Sequence, residues 1–97
     1  MIKKIENLDK LRELRILNLS NNNIFVVEGL SELPQLQNLT LNKNFLSDFH
    51  SLEHLGQCSL TLTSLDISEN KVEPDERLFD LISQIKCVYL SGNPLVR

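Results

Sequence analysis

The sequence predicts an α/β solenoid, with a short parallel sheet along one side and 3₁₀ or α-helical connectors along the other. Three observations carry this. One frame of apolar residues closed by an asparagine recurs four times along 97 residues. Leucine supplies 20 of those residues and asparagine 10, so one structural demand is being met repeatedly. Alanine is absent, which argues against a helical bundle, because alanine is the best helix former. A chain of this length has room for one core.

The frame is L-x-x-L-x-L-x-x-N-x-L. Leu14, Leu17, Leu19, Asn22 and Ile24 make its first copy, and Leu36, Leu39, Leu41, Asn44 and Leu46 its second. Leu62, Leu65, Ile67, Asn70 and Val72 follow, then Ile85, Val88, Leu90, Asn93 and Leu95. The asparagines step by 22, 26 and 23 residues, the period of a leucine-rich repeat. The expected organisation is a single domain over residues 1–97, with a partial repeat over 1–13 and four frames starting near 14, 36, 62 and 85.

Each position in the frame has a physical task. The L-x-L pair alternates, so both apolar side chains point inward from a short strand and the residue between them faces out. The chain then turns away and leaves backbone groups without ladder partners. A buried asparagine amide both donates and accepts, so one side chain satisfies several of them. Asn22, Asn44, Asn70 and Asn93 are therefore expected to be structural rather than catalytic.

Between the frames, apolar residues keep a three-residue step, as Val27, Leu30, Leu33 and again as Phe49, Leu52, Leu55. That step suits short 3₁₀ or irregular turns on the convex side. The second stretch has Ser47 or Asp48 to cap it and Gly56 to end it. The last connector differs: Leu78, Leu81, Ile82 and Ile85 form an α-helical stripe, with Pro74 and acidic residues at its start, so a true α-helix is expected there.

The two ends carry expectations too. Ile2, Ile5, Leu8 and Leu11 reproduce the second half of a repeat. A last strand around Cys87–Tyr89 would present an open edge, which a continuation past Arg97 or a partner would cover; self-association through uncapped ends is one such arrangement.

The unit I-x-x-I-x-x-L-x-x-L-x-x-L-x-L-x-x-N resembles the SDS22-like class of leucine-rich repeat proteins. Two irregular features resemble the repeat region of the dynein axonemal assembly factor 1 family in particular. They are the four-residue excess within His54–Leu62, and a fourth unit that has a longer connector over Glu73–Ile82 and ends in Gly92-Asn93-Pro94-Leu95-Val96-Arg97. That family carries more repeats and a long tail. The resemblance implies a right-handed horseshoe segment that serves as a protein-interaction scaffold in ciliary or flagellar dynein assembly. It implies dynein subunits or assembly factors as partners and a cytoplasmic, cilium-associated location. The alternatives within binding modules are a phosphatase-regulator or splicing-adaptor role, or a self-associating structural repeat protein.

The candidate binding surface is the concave face. Its outward columns are Ile16, Asn38, Ser64, Cys87, then Asn18, Thr40, Asp66, Tyr89. Beyond these come Ser20, Asn42, Ser68, Ser91 and Asn21, Lys43, Glu69, Gly92. Asn18, Asn38, Thr40, Asn42, Lys43, Ser64, Asp66, Glu69 and Tyr89 are the residues expected to meet a protein partner, with Tyr89 as the aromatic anchor. Phe25 and Phe45 fall outside the frame. Each is expected to pack on a neighbouring repeat's loop; otherwise Phe45 makes an apolar spot on the solenoid's edge.

Other chemistry finds no support in the residues. A net charge of −3 disfavours a nucleic-acid or polybasic membrane binder, although five basic residues cluster at Lys3, Lys4, Lys10, Arg12 and Arg15. No apolar run reaches the ~20 residues of a membrane span, and the N-terminus lacks a signal-peptide apolar stretch. Without such a signal, Cys58 and Cys87 are expected to stay reduced rather than to pair. His50 and His54 would share a helix face, with Cys58 a turn further on, but a zinc site needs fixed third and fourth ligands. No nucleophile, triad or phosphate loop is legible. The expectation is a non-enzyme without metal or cofactor.

Overall fold

The computed structural model describes residues 2–6, 8, 10–30, 33–57 and 61–95. Four three-residue strands, β1 (Ile16–Asn18), β2 (Asn38–Thr40), β3 (Ser64–Asp66) and β4 (Cys87–Tyr89), form one sheet in the order β1-β2-β3-β4. Every pairing is parallel. The central residues Leu17, Leu39, Leu65 and Val88 stand opposite one another and point inward, as strand alternation requires. Backbone bonding continues past the strands: Leu19 N–H donates to Thr40 O at 2.8 Å, Leu41 N–H to Asp66 O at 2.7 Å and Ile67 N–H to Tyr89 O at 3.1 Å. The result is a leucine-rich repeat solenoid, with helices on the side away from the sheet.

The core is a single apolar cluster filled by the frame's leucines and isoleucines, together with Val27, Leu30 and Leu33 from the first connector and Leu52 and Leu55 from the second. The second connector holds α1 (Phe49–Leu52), followed by a 3₁₀ turn over Glu53–Gln57. Asp48 caps α1, its carboxylate accepting from Ser51 N–H at 3.1 Å. The buried Ser51 hydroxyl donates to Asp48 O at 2.7 Å and accepts from Ser47 N–H at 3.1 Å. Val27 N–H from the preceding repeat donates to Ser51 O at 2.7 Å and ties the two connectors together. Gly56 does not end the helix as expected. The chain has already tightened into 3₁₀ geometry at Glu53, and Gly56 lies within that turn.

The last connector carries α2 (Glu76–Ile82). Asp75 caps it, accepting from Arg77 N–H at 2.9 Å, and holds the Arg77 guanidinium through bonds of 3.1 and 2.8 Å. This pairing pulls the Asp75 carboxyl below its ordinary value, through the side-chain hydrogen bond first and the backbone one second. Arg77 also lies 4.4 Å from the centre of the Phe49 ring, a cation–π contact that fixes the start of α2 against α1. Leu78 and Ile82 are buried inside the helix, while Ile85, the last member of the expected stripe, is buried just beyond it.

The turns after the strands are held by an asparagine ladder. Asn44 Oδ1 accepts from Ile24 N–H at 3.0 Å, and its amide nitrogen donates to Leu19 O and Leu41 O, both at 3.0 Å. Asn70 repeats this one unit on, accepting from Leu46 N–H at 3.1 Å and donating to Leu41 O at 3.0 Å and Ile67 O at 2.9 Å. Asn93 accepts from Val72 N–H at 3.0 Å and donates to Ile67 O at 2.9 Å and Leu90 O at 3.0 Å. At the other end Asn22 accepts from Ile2 N–H at 3.0 Å and donates to Leu19 O at 2.9 Å. Each amide thus stitches its own turn to the repeat before it. That leaves no buried side-chain polar atom unpaired among the described residues, as a low-dielectric interior demands.

Candidate functional site

The outward sheet face is built by strand register. Ile16, Asn38, Ser64 and Cys87 stand in one row, and Asn18, Thr40, Asp66 and Tyr89 in the next. Asn38, Thr40, Ser64 and Asp66 are half-buried, whereas Asn18, Ile16, Cys87 and Tyr89, on the outer strands, are exposed. Tyr89 at 54% exposure and Ile16 at 66% are the large side chains that this face shows to solvent.

Several of these polar groups are already engaged. Asn18 Oδ1 accepts from Ser20 N–H at 3.0 Å and from the Ser20 hydroxyl at 2.8 Å. Asp66 Oδ1 does the same with Ser68, at 2.9 and 2.6 Å. These short loops bend the chain out of the strand, so Asn18 and Asp66 shape the rim as well as display polarity. The Thr63 hydroxyl reaches Asn38 Oδ1 at 3.4 Å. The neighbouring Cys87, chiefly by hydrogen bonding, and more weakly the Asp66 carboxylate raise the Tyr89 phenol above its ordinary value.

The outermost row has a feature that the residue types did not announce. Asn21, Lys43 and Glu69 have φ of 59°, 59° and 55°, and Gly92 has 75°. Each is the residue just before a ladder asparagine. The left-handed bend lets the next residue drop its amide into the core, at a cost of about 1–2 kcal/mol wherever the residue is not glycine. Its only sequence signals are Gly92 and Asn21, residue types that tolerate this region; Lys43 and Glu69 give none. At the surface, Lys43 Nζ and Glu69 Oε2 of adjacent repeats lie 3.9 Å apart, a weak exposed pair. Asn42 precedes this bend, and its carbonyl accepts from Asn21 N–H at 3.0 Å.

Two expectations are corrected. Phe25 and Phe45 do not pack beneath a neighbouring loop; they are 58% and 54% exposed. The neighbouring frame positions, Ile24 and Leu46, are the ones fully buried, and an extended chain turns the residues flanking them outward. His50 and His54 do not share an α-helical face, because α1 ends at Leu52 and His54 lies in the 3₁₀ turn. His50 faces Glu53 instead, at 3.8 Å. Cys58 lies outside the described residues, and among those described no three His, Cys, Asp or Glu side chains gather as a metal site would require.

Residues 13–34, spanning the first frame and its connector, match the family described as Leucine Rich Repeat. The chain carries a leucine-rich repeat segment. It is 43% identical over 70 residues, 70% of its length, to a "Dynein axonemal assembly factor 1 homolog" of Drosophila melanogaster, and it covers 5% of that protein. The Drosophila yakuba counterpart is 42% identical over 70 residues, again with 5% covered. A human "Leucine-rich melanocyte differentiation-associated protein" is 36% identical over 75 residues, 76% of this chain and 38% of that one. The chain therefore spans a small part of the length of these relatives. Leucine-rich repeats are typically non-catalytic and generally bind proteins. Among the described residues, no helix is long and apolar enough to cross a membrane.

Proposed function

We propose that this chain is a non-catalytic scaffold that receives a protein partner across its sheet face, in the assembly of axonemal dynein. The similarity to the repeat region of dynein axonemal assembly factor 1 homologues carries the biological half of this reading. Four in-register strands that display polar side chains around one exposed tyrosine support the physical half. Asn38, Thr40, Asn42 and Ser64 supply short hydrogen-bonding groups at the centre. Asp66 and Glu69 supply negative charge towards β4, and Asn18 and Lys43 border the field. Tyr89 is the anchor, because a rigid ring with a neutral hydroxyl adds contact area at small entropic cost. The partner is a dynein subunit or a fellow assembly factor, met in the cytoplasm near a cilium or flagellum.

A pull-down with immobilised chain tests this against dynein heavy and intermediate chains, a phosphatase catalytic subunit and a spliceosomal protein. Retention of a dynein chain, lost on Tyr89→Ala with Asp66→Asn, is the expected result. Retention of the phosphatase or the spliceosomal protein instead would move the chain to another branch of repeat adaptors. Binding indifferent to both substitutions would remove the sheet face from the account.

A further inference from the structure

Asp66 carries a charge that its structural task does not need. Its Oδ1 accepts from Ser68 N–H at 2.9 Å and from the Ser68 hydroxyl at 2.6 Å. Two frames earlier, Asn18 makes the same turn with Ser20 through a neutral amide, at 3.0 and 2.8 Å. The turn therefore asks only for a carbonyl-type oxygen. The Asp66 carboxylate is half-buried, which raises the cost of leaving its charge uncompensated. Yet no cation pairs with it among the described residues: Lys43 lies against Glu69 and Arg77 against Asp75. The turn occupies Oδ1, and Oδ2 makes no hydrogen bond among the described residues. Across the strands Asp66 stands in register with Tyr89, about 4.8 Å away along the sheet. Cys87 and, more weakly, the Asp66 carboxylate raise the Tyr89 phenol, so the ring and the carboxylate share one spot. This row faces outward on every strand, which keeps the ring on the sheet face whatever stands beyond β4. The other neighbours of Asp66 on the face, Thr40 and Ser64, carry only short hydroxyl side chains.

We infer that the protein segment docking on the sheet face presents an arginine here, its guanidinium stacked on the Tyr89 ring and one N–H donated to Asp66 Oδ2. This rests on the sheet face being the binding surface. A guanidinium is planar, lies flat on an aromatic face and gives up water more readily than an ammonium, so arginine suits a carboxylate beside a ring better than lysine does. Its fork keeps further N–H groups for the Thr40 and Ser64 hydroxyls, which accept as well as donate. Glu69 is the contrast. It is exposed on the outermost row and already lies beside Lys43, so its charge is not the one that the arginine meets. The face thus selects one placed arginine rather than general basicity.

The test follows NMR shifts of the full chain as a short peptide with blocked ends is added. The peptide holds one central arginine among glycines and serines; two others replace the arginine by lysine or by citrulline, its neutral isostere. The arginine peptide is expected to bind saturably with a Kd of about a few millimolar. It should move the Asp66, Ser68 and Tyr89 amides and show its own δ-methylene protons shifted upfield by the ring. The lysine peptide should bind about three-fold more weakly and the citrulline peptide about five-fold. Asp66→Asn, which keeps the turn as Asn18 does, should weaken the arginine peptide about five-fold and erase its preference over citrulline. Tyr89→Leu should weaken it about three-fold and abolish the upfield shift. Glu69→Gln should stay within about two-fold of the parent. The arginine site is overturned if arginine and citrulline bind alike, or if Asp66→Asn binds unchanged. It is overturned equally if Glu69→Gln weakens binding as much as Asp66→Asn, which would leave only diffuse acidity. Shifts of the same amides that grow with chain concentration in the absence of peptide would assign the spot to an arginine of a second copy and overturn the partner. Dynein retention in the pull-down without these peptide preferences would sink the arginine site alone. The peptide preferences without dynein retention would keep the site and change the partner class.

Discussion

Leu39 on β2 and Leu65 on β3 are 1% and 0% exposed, whereas their register neighbours Leu17 on β1 and Val88 on β4 are only partly buried. All four occupy the same place in the frame. The difference comes from stacking, because a repeat buries its inward residues fully only when another repeat lies on each side of it. Asparagine shows the difference at one end only. Asn44, Asn70 and Asn93 are buried, since each reaches back to the repeat before it, while Asn22 is half-buried at the first turn. A repeat protein thus encodes every unit alike and stabilises them unequally. The frame states what a residue can do, and its neighbours decide how much that is worth.

Substitutions at equivalent positions sharpen the contrast. Asn70→Ala should have the largest effect, about 4 kcal/mol, because it orphans the buried Leu46 and Asn44 amides at once and takes from the Leu41 and Ile67 carbonyls one of their two amide donors. Asn22→Ala at the first turn should cost about 1 kcal/mol, since water reaches the groups it leaves. Urea unfolding of both variants measures the gap, and equal losses would mean that stacking does not set the value of the ladder. Leu65→Ala should cost about 3 kcal/mol and Leu17→Ala about half of that, because a partly exposed side chain leaves a smaller cavity.

Gly92→Ala should cost about 2 kcal/mol. Its φ is 75°, and a Cβ there would meet Glu69 Cγ at 2.9 Å and Glu69 backbone atoms at 3.2 Å. Lys43, at the same frame position two repeats earlier and also left-handed, should instead tolerate Lys43→Gly or gain slightly, by about 0.5 kcal/mol. Thermal melts of the two would separate backbone strain from side-chain contact. Phe45→Ser should lie at the small end, within about 0.5 kcal/mol of the parent, as befits a ring held outside the core.

Acidification probes the connectors in the same comparative way. Asp75 has its folded pKa depressed by Arg77, so its contribution is present above the ordinary carboxylate range and is lost as pH falls through the lowered folded value. Amide exchange in α2 should quicken there, and Asp75→Asn should remove that pH response.

The repeat class was legible because its signal is periodic: apolar positions at a fixed spacing, each closed by an asparagine, leave few other ways to bury twenty leucines. The columns of the sheet face follow from the same period, since strands in register place equivalent residues side by side. Helix α2 was legible from Pro74 with acidic residues at its start and from a 3.6-residue stripe. The step of Phe49, Leu52 and Leu55 announced 3₁₀ or irregular turns there, but not the place where α1 gives way to the Glu53–Gln57 turn, because spacing alone does not separate α from 3₁₀ geometry over a few residues. Phe25 and Phe45 were misplaced for another reason. Hydrophobicity predicts the inside only where the chain also turns a residue inward, and here it turns Ile24 and Leu46.

What the sequence determined by itself is therefore the architecture: inward leucines, a parallel sheet and an amide at every turn. What the tertiary structure decided is which copies of that plan are sealed and which polar groups the turns consume. It also decided where aromatic surface is left over. Local pattern is set by the covalent order of residues, whereas burial, the left-handed bends at Lys43 and Glu69, and the exposure of Phe25 and Phe45 depend on what each repeat finds stacked against it.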